Sequence, residues 1–131
     1  MRVLVADDSE LIRRCIMQVL AAVPQIEVCG EARDSSEAVA KAQELRPDLV
    51  LLDISMPGVG GLKASRLIRQ VLPETKVLVI THNDASMMLP AARDYGAEGC
   101  IDKARLGTEL LPAITILERK STEPDHRLPG A

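Results

Sequence analysis

Short apolar runs alternate with longer stretches of helical periodicity along most of the chain, and this alternation limits the fold more than any other feature. Strong apolar runs lie at residues 2–6, 49–53 and 76–81, and weaker ones lie at 26–31 and 98–102. Between these runs, apolar residues recur every three or four positions, as they do on one face of a helix. Five strand–helix repeats of this kind predict an α/β protein, with a parallel sheet that carries helices on both faces.

The order of the strands follows from how apolar each run is. The three strong runs are apolar almost throughout, which is typical of central parallel strands covered on both faces. The two weaker runs mix apolar with charged residues, as edge strands do. Placing strands two and five at the edges matches the flavodoxin-like order 2-1-3-4-5 of a doubly wound (βα)5 sheet. We predict this domain over residues 1–120 and a tail or the start of a linker over 121–131, which hold two prolines and no periodicity.

Helical stripes between the strands supply the residues that should cover the sheet. The first stripe comprises Leu11, Ile12, Cys15, Ile16, Val19 and Leu20, and we expect Cys15 to lie in the core. Asp34 followed by Glu37 predicts the N-terminal cap of the second helix.

Composition argues against several classes of function. The net charge is −3 and the 131 residues contain a single aromatic side chain, so the chain offers neither a basic stripe for phosphates nor aromatic rings for stacking bases. The three cysteines are far apart and form no disulfide or zinc pattern. No signal-peptide pattern and no apolar run of membrane-spanning length is found. We therefore expect a cytoplasmic protein whose domain binds neither nucleic acid directly nor a membrane.

Polar residues follow four of the five predicted strands. Asp7 and Asp8 follow the first strand, Asp53 ends the third, Thr81 ends the fourth, and Lys103 follows the fifth. Because open parallel sheets bind ligands at the carboxyl ends of their strands, we expect these side chains to meet at one edge. Three carboxylates and one ammonium leave an excess of negative charge, which a divalent cation with oxygen ligands such as Mg²⁺ would balance. Taken alone, the acidic pair could instead open the first helix, whose N-terminus favours negative charge.

A carboxylate beside such a cation can attack phosphorus and become an aspartyl phosphate. Asp53 is the best candidate, because it ends the most apolar strand and is followed by the turn Met56-Pro57-Gly58, which leaves room above it. Thr81 and Lys103 would then bind the new phosphoryl oxygens.

The segments that carry these residues resemble the response-regulator receiver domains of two-component signalling. The similar segments are VLVADDSELIR, RPDLVLLDISMPGVGGL, VLVIT and GAEGCIDK, and the resemblance extends over residues 1 to about 120. The segments PQIEVCGEARDSSEA and LLDISMPGVGGL further resemble the NarL-like subgroup, whose full proteins usually add a helix-turn-helix DNA-binding domain. The resemblance thus implies a regulator that controls transcription.

The resemblance also implies a metal-binding role for four residues. It implies that Asp53 is both the phosphoacceptor and a Mg²⁺ ligand, and that Asp8 binds Mg²⁺ directly. It implies that Asp7 reaches the metal through water, and that Ser55 lends its backbone carbonyl to the metal.

Other implied roles concern the phosphoryl group and the partners. Thr81 would be the switch hydroxyl that moves onto the phosphoryl group, and Lys103 the lysine that binds it. The donor would be a phosphohistidine on a histidine kinase or phosphotransfer protein. Phosphorylation would bias the surface formed by helix four, strand five and helix five. A homodimer would use that surface or the surface of helices one and five.

Two of the departures from the family pattern keep an alternative open. Cys100 stands where the family usually has Tyr or Phe, and Pro90 lies past the first turn of helix four, where a proline costs about 3 kcal/mol in an ideal helix. Both would suit an unphosphorylated or stand-alone interaction module held in one state. A haloacid-dehalogenase-like phosphatase is a weaker alternative, because the second residue after Asp53 is Ser55 and not an aspartate. We expect a phosphoacceptor signalling domain that catalyses only its own phosphorylation and dephosphorylation.

Overall fold

Strands and helices alternate along the chain, as the apolar runs predict. A computed structural model describes residues 1–58, 60–82 and 84–122. Its elements, in chain order, are β1 (Arg2–Ala6), α1 (Glu10–Leu20), β2 (Glu27–Ala32), α2 (Ser35–Leu45), β3 (Leu49–Asp53), α3 (Gly61–Val71), β4 (Lys76–Thr81), α4 (Ala85–Asp94), β5 (Gly99–Asp102), a 3-10 turn (Lys103–Arg105) and α5 (Leu106–Thr122). Within these residues, five parallel strands form one sheet in the order β2-β1-β3-β4-β5. The predicted flavodoxin-like fold is confirmed.

Alternate residues of the central strands point to opposite faces of the sheet and build two cores. One core, which includes Leu4 and Val50, lies under α2, α3 and α4. The other, which includes Val5 and Leu51, lies under α1 and α5. Because both faces are covered, each central strand is apolar at every position and shows no alternation in its sequence.

Side-chain caps begin the first two helices. Asp34 caps α2 as predicted, and its side chain accepts a hydrogen bond of 2.7 Å from the backbone N–H of Glu37. Ser9 caps α1, since its hydroxyl accepts a hydrogen bond from the first turn of that helix. The acidic pair Asp7 and Asp8 therefore lies before the cap, in the turn between β1 and α1, and does not form the helix N-terminus.

The expected buried stripe of α1 is wrong at two positions. Leu11 is 71% exposed and Cys15 is exposed. Ile16 and Leu20 of the predicted stripe are buried, and Arg13 is buried beside them. A charged residue is not counted as core in a hydrophobic pattern, so sequence reasoning missed the arginine. Arg13 can face the sheet because its guanidinium finds two hydrogen-bond partners there.

α4 runs continuously through Pro90, which is exposed, and of its ten residues only Ala92 is buried. α5 continues to Thr122, so the first two residues of the predicted tail are helical. The remainder of that tail, 123–131, lies outside the described residues, and the division into domain and tail stays a prediction. None of the helices in the described part of the chain is long and apolar enough to cross a membrane.

Candidate functional site

The register of the central strands brings the predicted site residues to one edge of the sheet. Ala6 of β1 lies opposite Leu52 of β3, and these two residues immediately precede Asp7 and Asp53. Thr81, the last residue of the neighbouring strand β4, is 1% exposed and ends at the same edge. Parallel pairing thus places residues that are far apart in sequence at one carboxyl edge.

Three carboxylates form a cluster at this edge. Asp7, Asp8 and Asp53 each offer a carboxylate oxygen, and these oxygens lie within 4.8 Å of one another. Asp7 and Asp53 are fully buried, whereas Asp8 is exposed. Carboxylates this close repel one another unless a cation compensates them. An all-oxygen cluster that is open to solvent on one side suits Mg²⁺, which prefers oxygen ligands and retains part of its water shell.

Lys103 places a positive charge beside two of the three carboxylates. Its Nζ lies 2.9 Å from Asp7 Oδ2 and 3.0 Å from Asp53 Oδ2, and its side chain is 6% exposed. His82 Nε2 lies 3.4 Å from the same nitrogen. The contact with Asp7 is close but poorly directed, so Asp7 Oδ2 is a buried oxygen without a well-formed hydrogen bond within the described chain. Such an oxygen fits a site that a metal or its bound water would complete.

Asp53 is held in the charged form that a nucleophile requires. Ser55 donates to Asp53 Oδ1 from its backbone N–H at 2.9 Å and from its hydroxyl at 2.7 Å. Burial acts to raise the pKa of Asp53, but the donors of Ser55 and Lys103 outweigh it and hold the pKa below its usual value. The carboxylate is therefore ionised at neutral pH and available for attack.

Burial acts in opposite directions on the pKa of Asp7 and on the pKa of Lys103. Burial raises the pKa of Asp7, and the nearby charge of Asp53 adds to this rise, although the ammonium group of Lys103 and the hydrogen bond from the Ser9 N–H oppose it. Burial acts to lower the pKa of Lys103, but its two carboxylate partners outweigh it and raise that pKa. The lysine thus stays charged beside Asp53.

Cys100 occupies a half-buried position on β5 and packs against the core under α4. Burial, aided by the charge of Asp102, raises the pKa of its thiol to about 11. The thiol is therefore protonated at neutral pH and is a poor nucleophile.

Ser35 is a residue of this region that sequence reasoning missed. It is buried at the start of α2, and both its backbone N–H and its hydroxyl donate to the Pro57 carbonyl at 3.0 Å. Its oxygen also accepts a hydrogen bond of 3.2 Å from the Gly60 N–H. Gly58 has φ +114°, and a Cβ there would overlap the Ser35 hydroxyl. The glycines that follow Asp53 in the sequence indicate a tight loop, but they did not identify Ser35 as the residue that this loop contacts.

A family model described as the response regulator receiver domain matches residues 3–115. The chain therefore belongs to the response-regulator receiver family and is a receiver domain of a two-component response regulator. The resemblance inferred from the sequence is confirmed.

Curated relatives carry such a domain within longer proteins. Response regulator GacA of Pseudomonas viridiflava is 37% identical over 116 residues, which cover 88% of this chain and 54% of that protein. A protein-glutamate methylesterase/protein-glutamine glutaminase of Pyrococcus abyssi is 40% identical over 104 residues, which cover 78% of this chain and 28% of that protein. The chain thus spans about half, or less, of the length of these relatives.

Solved structures agree with the fold and with the subgroup. A LuxR-family two-component response regulator from Aurantimonas sp. SI85-9A1 has a TM-score of 0.82 at 32% identity, over 88% of this chain and 83% of that chain. The receiver domain of the putative response regulator NarL from Mycobacterium tuberculosis has a TM-score of 0.76 at 31% identity, over 87% and 95%. These neighbours support the resemblance to NarL-like receivers.

Proposed function

We propose that this receiver domain accepts a phosphoryl group on Asp53 from a histidine kinase or phosphotransfer protein, in a reaction that depends on Mg²⁺. One observation carries the proposal: the buried Asp53 carboxylate is held in its ionised form by Ser55 and Lys103, within 4.8 Å of the oxygens of Asp7 and Asp8. A nucleophile, a cation site and a fixed ammonium group are the parts that phosphoryl transfer requires.

The chemistry follows from these positions. A carboxylate oxygen of Asp53 attacks the phosphorus and forms a P–O bond, while the P–N bond of the donor phosphohistidine breaks and the imidazole leaves with the electron pair. Lys103 donates a hydrogen bond to a phosphoryl oxygen. Asp7, Asp8, Asp53 and the backbone carbonyl of Ser55 would hold Mg²⁺. When bound, the metal neutralises negative charge on the phosphoryl group.

Thr81 would carry the signal from the site to a surface. Its hydroxyl moves onto the phosphoryl group, and this movement biases the surface formed by α4, β5 and α5. A homodimer would use that surface or the α1–α5 surface. The exposed apolar side chains of Met87 on α4, Leu11 on α1 and Ile116 on α5 support such contacts.

Control of transcription in the cytoplasm is the output that we propose for the whole protein. It rests on the similarity to GacA and to a LuxR-family regulator, and it would act through a DNA-binding domain attached to this one. The methylesterase relative shows that a receiver of similar sequence also occurs in a protein with a different named activity. The proposal would be tested by expressing the protein from its complete natural gene and measuring DNA binding with and without phosphorylation.

Phosphorylation itself is tested with acetyl phosphate and Mg²⁺, followed by the intact mass of the protein. We expect the wild type to gain one phosphoryl group, and expect this gain to be lost with EDTA or in Asp53→Asn, because the amide cannot act as the nucleophile. Asp94→Asn is the matched control, since Asp94 is an exposed carboxylate at the end of α4. An Asp53→Asn protein that is labelled as strongly as the wild type would refute the assignment.

A second candidate function is an interaction module that is not phosphorylated. Cys100 favours it, because this small side chain cannot perform the inward swing of the aromatic residue that usually accompanies movement of the threonine. The ionised Asp53 carboxylate and its pairing with Lys103 argue against it. The two candidates differ in their response to a phosphoryl analogue such as beryllofluoride.

A further inference from the structure

Arg13 is a buried cation that the proposed chemistry does not use. It lies on the sheet-facing side of α1, in line with Ile16 and Leu20, and is 6% exposed. Its Nη1 donates to the backbone carbonyl of Asp7 at 2.7 Å, and its Nε donates to Glu31 Oε1 at 2.8 Å. A guanidinium at a core-facing position costs stability unless it is paired, so its presence there requires a reason.

The Asp7 carbonyl belongs to the peptide that joins Asp7 to Asp8. The other groups of Asp7 are also held: its N–H donates to the Ala32 carbonyl at 3.0 Å, and its Oδ1 accepts from the Ser9 N–H at 2.8 Å. The hydrogen bond from Arg13 fixes the remaining backbone group, and with it the plane of the peptide that leads into Asp8. The direction in which the exposed Asp8 side chain leaves the backbone depends on this plane.

We propose that Arg13 is a positioning residue that orients Asp8 for binding a divalent cation. The inference rests on the proposed Mg²⁺ site. Arg13 bonds to the Asp7 backbone and not to the carboxylates of the cluster, and Glu31 compensates its charge at 2.8 Å. Its contribution is therefore geometric, since it joins the end of β1 to α1 and to β2 through one planar group.

A geometric role of Arg13 and an electrostatic role of Arg13 predict opposite changes in the affinity for Mg²⁺. Removing a positive charge near three carboxylates would by itself strengthen Mg²⁺ binding. Removing a group that orients a metal ligand weakens binding, by about 10- to 100-fold for residues that support metal ligands in other proteins. Weaker binding after loss of the arginine charge thus identifies the positioning role.

Isothermal titration of MgCl₂ into the protein would measure the dissociation constant in the wild type and in Arg13→Met. We expect this constant to rise about tenfold or more. Arg14→Met is the matched control, because Arg14 is the next residue of the same helix, is exposed, and pairs only with Glu10 among the ion pairs of the described residues, at 3.2 Å. We expect its constant to equal that of the wild type.

Urea denaturation of the same variants without Mg²⁺ separates positioning from folding. A merely structural role lowers the free energy of unfolding and leaves the dissociation constant of the folded protein unchanged. Arg13→Lys keeps the charge but lacks the planar fork that spans both partners, so we expect a smaller rise, of a few fold. This variant carries the test if Arg13→Met does not fold.

These measurements distinguish a failure of the positioning role from a failure of the proposed metal site. A dissociation constant that is unchanged or lower in the folded Arg13 variants, beside a wild type that binds Mg²⁺, would overturn the positioning role alone. A wild type that binds no Mg²⁺ would overturn the proposed metal site, and the positioning role with it.

Discussion

Asp7 shows how a single residue can serve a site while weakening the fold. Its carboxylate is fully buried close to the carboxylate of Asp53, and Lys103 is shared between the two. Burial raises the pKa of Asp7, so the folded state disfavours the ionised form that predominates in the unfolded chain at neutral pH. A group of this kind is typical of a site where negative charge is required for binding.

Asp7→Asn should therefore stabilise the protein in the absence of divalent cations. The amide keeps the size of the side chain but removes a buried charge, and we expect the free energy of unfolding at pH 7 to rise by about 1 kcal/mol. The gain should vanish as the pH falls through the raised pKa of Asp7, since the wild-type side chain then becomes neutral as well. Urea denaturation in EDTA, from pH 7 down through the raised pKa of Asp7, measures this gain in the free energy of unfolding. Exposed Asp94→Asn should show no such gain, and a destabilised Asp7→Asn protein would contradict the prediction.

Contacts between elements hold the β3–α3 loop beside Asp53. Ser35 at the start of α2 binds the Pro57 carbonyl and the Gly60 N–H, so one hydroxyl bridges two points of this loop. The same loop begins with Ser55, whose two donors hold the Asp53 carboxylate. The second helix thus helps to hold the loop whose Ser55 bonds to Asp53.

Ser35→Ala should loosen this loop. The substitution removes both side-chain hydrogen bonds while the backbone bond to Pro57 remains, and we expect a loss of about 1–2 kcal/mol in the free energy of unfolding. Hydrogen exchange of the Gly60 amide should also become faster. Ser36→Ala is the control, because Ser36 is the exposed neighbour on the same helix. If both variants have the same stability and the same exchange, the loop does not depend on Ser35.

The C-terminal end of α4 is held by more contacts than its N-terminal end. At its C-terminal end, the Ser65 hydroxyl donates to the Tyr95 carbonyl at 3.0 Å, and the Arg66 guanidinium stacks 4.2 Å from the Tyr95 ring centroid. At its N-terminal end, Met87 is 76% exposed, and Pro90 lacks the N–H that would continue the helix ladder. We expect any movement of α4 on activation to concentrate in its N-terminal half, which follows Thr81 in the chain.

At the scale of the whole molecule, the two cores and the site are separate. Leu52 and Ile80 belong to cores on opposite faces of the sheet, while the residues that follow them in the strands, Asp53 and Thr81, end at its carboxyl edge. The cores can therefore stay intact while charge changes at the edge. Only the elements that border this edge need to respond to a bound phosphoryl group.

Beryllofluoride with Mg²⁺, which mimics the phosphoryl group, should stabilise the wild type and alter its surface. At one hundred times its dissociation constant, the ligand raises the free energy of unfolding by about 2.7 kcal/mol. We expect a changed oligomeric state in light scattering and changed hydrogen exchange over 85–89, both absent in Asp53→Asn. A wild type that is stabilised but unchanged in assembly and exchange would favour the second candidate, a module held in one state.

Residues close together in sequence were the ones that sequence reasoning described well. The predicted cap at Asp34 was confirmed, because a cap depends on residues three positions apart. Leu11 and Cys15 were placed wrongly in the core, because the rotation of α1 about its axis depends on what the sheet offers to Arg13. Periodicity identifies the apolar stripe of a helix, but it does not specify which edge of that stripe faces the sheet. A charged residue beside the stripe can turn inward when the sheet offers it a partner.

The sequence by itself determined the fold class, the edge strands and the set of polar residues at the strand ends, because apolar runs and their termini are local properties of the chain. Only the tertiary structure decided that Asp7 is buried while Asp8 is exposed, and that Lys103 is shared by two carboxylates. It also decided that Arg13 bonds to the Asp7 carbonyl and that Ser35 bonds to the loop after Asp53. These features depend on groups that are distant in sequence, and their burial and pairing exist only once the strands are in register.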